Sequence, residues 1–68
     1  MEVDPLEIWV IAGLLVDEHG HNAVVVAKER AEKALEDDDM TGSSVWRAVM
    51  DAAEKYLERE ATEHKKPH

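Results

Sequence analysis

The nine-residue run Ile8–Val16, IWVIAGLLV, constrains this chain more than any other stretch. It follows Asp4-Pro5-Leu6-Glu7, in which Asp suits an N-cap and Pro the first helical position. Glu7, three residues past the cap, can close a capping box. Periodicity alone leaves the β-branched run open to a buried strand. The cap, the length and the lack of a second strand-like segment decide for a helix. Projected on a helical wheel, Leu6, Trp9, Val10 and Leu14 lie on one side, and Ile8, Ile11 and Leu15 on the other. A helix apolar nearly all round must be covered nearly all round. One domain offers cover for one stripe, so the second predicts self-association, with a symmetric dimer the commonest form. Either Ile8 and Ile11 or Trp9 and Val10 then lie at the interface, and the side of Ile8, Ile11 and Leu15 is favoured, because Trp9 suits a core against Trp46.

Gly20 is placed to end this helix and Asn22 to cap the next. From Ala23 to about Asp37 the stripe Val24, Ala27, Ala31, Ala34 and Leu35 follows one helical face, and its alanine centre lets a neighbouring helix come close. The acidic break EDDDMTGSS, Glu36–Ser44, holds Asp39, Thr41 and Ser43 as credible caps, which puts the next start between residues 40 and 44. That helix runs to about Glu63, with Val45, Trp46, Val49, Ala52, Ala53, Tyr56 and Leu57 on its apolar face. The expectation is an all-α, single three-helix domain over residues 1–63. Its helices span about 5–19, 23–37 and 40/44–63, joined by short turns and followed by a frayed basic tail, 64–68.

Sixteen acids against eight bases give the 68 residues a formal charge of −8. That field repels polyanions and argues against nucleic acid or an anionic membrane as a direct partner. There is no cysteine, so disulfides cannot staple a domain this small. The longest apolar run has nine residues where a membrane span needs about 20. The opening Met-Glu-Val-Asp-Pro is acidic where a secretory signal is basic, and the expected location is cytoplasmic.

Asp17, Glu18, His19 and His21 put four ligand types within five residues. A structural zinc site draws its ligands from two separated clusters, usually with thiolates, and the other histidines, His64 and His68, sit in the tail. Asp37, Asp39, Thr41 and Gly42 match positions 1, 3, 5 and 6 of an EF-hand loop, but position 12, which needs a bidentate glutamate, is Ala48. Neither set is complete, so no metal and no cofactor is expected. His19, His21, Asp37 and Asp39 are the only candidates. A Cys nucleophile, a Gly-rich phosphate loop and a nucleophile elbow are all missing, so an enzyme is not expected either. Trp9, Trp46 and Tyr56 fall on apolar faces amid acids and read as core anchors rather than a stacking platform for bases.

Glu7-Ile8-Trp9, His19-Gly20, Ala27-Lys28-Glu29-Arg30 and Asp39-x-x-Gly42-x-x-x-Trp46 together resemble a family of short, uncharacterised bacterial α-helical proteins, over roughly residues 6 to 57. The resemblance implies a three-helix fold and a bacterial or phage origin, and transfers no activity. The residues themselves lead to an acidic, non-enzymatic protein-binding module, an inhibitor or regulator of a larger protein with a basic surface. An anti-CRISPR-like phage or mobile-element inhibitor occupying a nucleic-acid channel is its specific form. A self-associating structural module and a small metal-binding protein are the alternatives. The expected contact residues are Glu36, Asp37, Asp38 and Asp39 at the break, Glu29 and Glu32 on the second helix, and Asp51, Glu54 and Glu58 on the third.

Overall fold

The computed structural model describes residues 4–64, with the side chains of residues 4–59. Asp4 caps the first helix, α1 (Pro5–His19), by accepting a hydrogen bond from the Leu6 N–H at 3.0 Å. At its other end Gly20 takes φ 60° and ψ −132°, and its N–H donates to the Val16 carbonyl. The chain then continues through one 3₁₀ turn, Gly20–Asn22, into α2 (Ala23–Glu36). α2 starts at Ala23 as expected, but Asn22 is already helical and makes no side-chain hydrogen bond, so the cap expected there is not formed.

The second turn is built by the acids. Asp37 closes α2, and Asp38 sits in the left-handed region at φ 59°. The Asp38 N–H donates to the Leu35 carbonyl at 3.1 Å and the Asp39 N–H to the Ala34 carbonyl at 2.8 Å, the paired bonds of a Schellman motif. Asp39 then caps α3 (Met40–His64), its carboxylate accepting from the Gly42 N–H at 2.9 Å. These roles predict opposite effects at neighbouring positions. Asp38→Gly relieves the left-handed penalty and should raise stability by about 0.5–1 kcal/mol. Asp39→Ala removes the cap and should lower it by about 1 kcal/mol. Chemical denaturation of the two variants checks both signs.

Every regular element among the described residues is helical, but the three-helix domain is corrected to a hairpin. The arms are α1–turn–α2, helical from Pro5 to Glu36, and α3. Thirty-two helical residues span about 48 Å, which accounts for the long axis of a molecule measuring 50 × 22 × 15 Å. α3 folds back along this arm, lying on α2 with its first half and on α1 with its second. Arg30 of α2 stacks over Trp46, whereas Trp9 and Gly13 of α1 meet Tyr56. Beyond the link itself, α1 and α2 touch little.

Small residues make up the core. Ala12, Leu15 and Val16 of α1 and Ala23 and Ala27 of α2 pack against Val49, Ala52 and Ala53 of α3. Val49 is the largest side chain that is fully buried. Alanine at 23, 27 and 31, one every four residues, forms a smooth ridge against which α3 seats closely. Leu35, assigned to this stripe from its spacing, is instead largely exposed, and Ala23 takes its place at the other end. The expected frayed tail falls almost wholly outside the described residues.

Candidate functional surface

The hairpin decides which side of α1 is covered. Leu15 is buried, and Ile8 and Ile11 pack against the core, so the face expected to associate with another copy is turned inward within the chain. The opposite side is bare. Leu6 is 71% exposed, Val10 58% and Leu14 59%, at i, i+4 and i+8 along one helical stripe. The reversal follows from size, because an alanine-lined interface has no room for an indole. Trp9 therefore lies at the edge, 37% exposed, and its ring meets Tyr56 at 5.8 Å between centroids, tilted by 52°. The expected Trp9–Trp46 core pair does not form. Trp46 lies on α2, under the Arg30 guanidinium 4.9 Å from its ring centroid.

Gly13 shapes the centre of this surface. A Cβ there would stand 3.1 Å from the Tyr56 hydroxyl, so the absent side chain lets Tyr56 lie across α1. Two shallow depressions flank the crossing. One is lined by Trp9, Lys55, Glu58 and Arg59, and the other by Val10, Gly13, Leu14, Val16, Asp17 and Tyr56. The surface thus carries two bases, Lys55 and Arg59, and one acid, Glu58, on α3 beside Trp9, and Asp17 at the far end of the α1 stripe, beside Leu14. Sequence reasoning took Tyr56 for a core anchor, whereas it is 36% exposed, and missed Gly13, Lys55 and Arg59. A glycine within an otherwise strong helix was the one signal that marked a close approach.

The acids sort onto two sides. Glu29, Glu32 and Glu36 lie as a ridge on α2 opposite its buried alanines, and Asp37, Asp38 and Asp39 follow at the turn in the same acidic stretch of sequence. Within that stretch Lys33 pairs with Asp37 at 3.9 Å. Asp51 and Glu54 are exposed on α3, where Asp51 pairs with Lys55 at 3.1 Å, and Glu58 lines the depression beside Trp9. Three of the four acids at the break also have local work: Asp37 ends α2, Asp38 makes the left-handed step, and Asp39 caps α3.

At the first bend, Nε2 of His19 lies 3.7 Å from Glu18, and His21 is exposed in the 3₁₀ turn. Thr41 and Gly42 belong to the first turn of α3, and the chain is helical on through Ala48, so the EF-hand spacing is not realised as a loop. Among the described residues no three His, Asp or Glu side chains come together to hold a metal ion. Among them, too, no helix is long and apolar enough to cross a membrane. No protein family matches the chain, and neither does any curated protein or solved structure.

Proposed function

We propose that this chain is a small non-enzymatic protein-binding module whose α2 ridge docks on a basic surface of a larger protein, which it inhibits or regulates. The ridge supports this reading. Glu29, Glu32 and Glu36 stand about 5 Å apart along the helix, on the side of α2 that neither α1 nor α3 uses. A row of carboxylates at that spacing complements lysines and arginines arrayed for a phosphate backbone. The target is therefore a nucleic-acid-binding surface, and the specific form is an inhibitor from a phage or mobile element, anti-CRISPR-like in action. Nothing brought together among the described residues favours the metal-binding alternative.

The test is capture of a partner from the native host at low salt, followed by calorimetry on the purified pair. Affinity should fall about tenfold or more between 50 and 300 mM salt, mostly through a slower on-rate. Replacing Glu29, Glu32 and Glu36 with Gln should cost about tenfold or more, with helicity unchanged. Replacing Asp37, Asp38 and Asp39 with Asn should act in the same direction. Asn keeps both the left-handed step and the cap, so any loss belongs to charge. Binding that survives both triple changes and high salt would defeat the acidic reading.

A further inference from the structure

We propose that the outer face of α1 is covered by a second copy of this chain, the two hairpins packing with α1 antiparallel about a two-fold axis midway between Val10 and Gly13. This rests on different residues from the acidic ridge and stands apart from it. Leu6, Val10 and Leu14, with the exposed parts of Trp9 and Tyr56, leave on the order of 500 Å² of apolar surface in water, the range in which a patch on a small protein is usually functional. Paired with itself, that surface removes about 1,000 Å², the lower bound of a specific interface, before its charged rim is counted. The two depressions on it are open and shallow, suited to a helix rather than an enclosed ligand.

Charge selects the occupant and its direction. Arg59 and Lys55 lie beside Trp9 with Glu58 in the same depression, and Asp17 lies two helical turns beyond Val10 and one beyond Gly13, toward the other end of the stripe. Turning one copy over about an axis midway between Val10 and Gly13 sets Leu14 of one against Trp9 of the other. It also brings Asp17 of each copy toward Arg59 of its mate. A parallel arrangement would oppose Asp17 to Asp17 and Arg59 to Arg59. The surface is therefore self-complementary in one sense only, as an isologous contact requires. The α2 ridges, which carry much of the −8 charge, remain on a different face of each copy.

Sedimentation equilibrium of the full chain between 5 and 200 µM tests this. The expected result is a dimer with a Kd of about 10 µM. Its affinity should hold within about threefold from 50 to 500 mM salt, since apolar burial carries it and salt screens the repulsion between like-charged copies. That behaviour is opposite to the steep salt dependence of the acidic ridge, so either idea can fail alone. Val10→Glu places like charges close together beside the axis and should leave a monomer at 100 µM with unchanged helicity. Leu6→Glu, at the most exposed of these positions, gives the same reading if the first variant folds poorly. Asp17→Arg and Arg59→Asp should each weaken the dimer about tenfold, and the double swap should restore it. A monomer at 200 µM, a dimer indifferent to Val10→Glu and Leu6→Glu, or a charge swap without rescue would each overturn the antiparallel pairing.

Discussion

Ala27→Leu is expected to lower the thermal midpoint by roughly 10–20 °C, from a loss of about 2–3 kcal/mol and a slope of about 4–8 °C per kcal/mol for a domain this small. Ala27 is fully buried at the middle of the ridge formed by Ala23, Ala27 and Ala31, with Val49, Ala52 and Ala53 in the same core. Three added carbons have no void to enter. α3 must move off α2, and every contact along the ridge weakens as the distance grows. Helix propensity cannot account for the loss, because leucine and alanine rank among the best helix formers. Val25→Leu provides the control: Val25 is on the exposed side of the same helix, and its melting should move by no more than a few degrees. Unchanged melting of Ala27→Leu would mean that the two arms do not pack as closely as an alanine seam requires.

The alanine seam was legible in the sequence because it is a matter of local spacing, and so were the helix starts. Asp4 and Asp39 cap through bonds to residues two and three positions on, which depend on nothing distant. The arrangement of the helices was not legible, because Gly20 is compatible with two outcomes. A glycine at a helix end can open a reversal, as in a three-helix bundle, or carry the chain onward through a single 3₁₀ turn, as it does here. That difference decides what α3 covers. In a bundle, Trp9 and Trp46 could share one core. In the hairpin they lie on separate halves of α3's track, one beside Tyr56 and the other under Arg30. The wheel of α1 correctly showed two apolar faces, but periodicity does not say which is inward. Side-chain size against an alanine-rich neighbour settles that, and it turns Ile8, Ile11 and Leu15 in and leaves Leu6, Val10 and Leu14 out. Of the candidate surface, the acids of α2 could be placed on one side from sequence. The junction of Tyr56 with Gly13 could not, since it joins residues 43 positions apart.

Gly20→Ala is expected to cost about 1–3 kcal/mol, a fall in thermal midpoint of roughly 5–15 °C. The reason is wholly in the backbone. At φ 60° and ψ −132° an L-residue sets its Cβ against its own chain, and only glycine adopts the conformation freely. Nothing else lies within 4 Å of where that Cβ would stand, so no packing clash competes as an explanation. The substituted chain is pushed toward helical angles at residue 20, which would change the path from α1 into α2 and lift one of them away from α3. Loss of the Trp9–Tyr56 ring contact, read in the near-ultraviolet dichroism, should therefore accompany the fall in stability, while far-ultraviolet helicity is retained or increased. The mirror image of these angles is φ −60°, ψ 132°, close to the values Asp4 adopts without strain. A synthetic chain with D-alanine at position 20 should thus match or exceed the native protein by about 0.4–1 kcal/mol, through a stiffer unfolded state. L-alanine at least as stable as glycine, or a D-alanine chain no better than the L-alanine one, would show that the left-handed step at Gly20 does not set the path of the long arm.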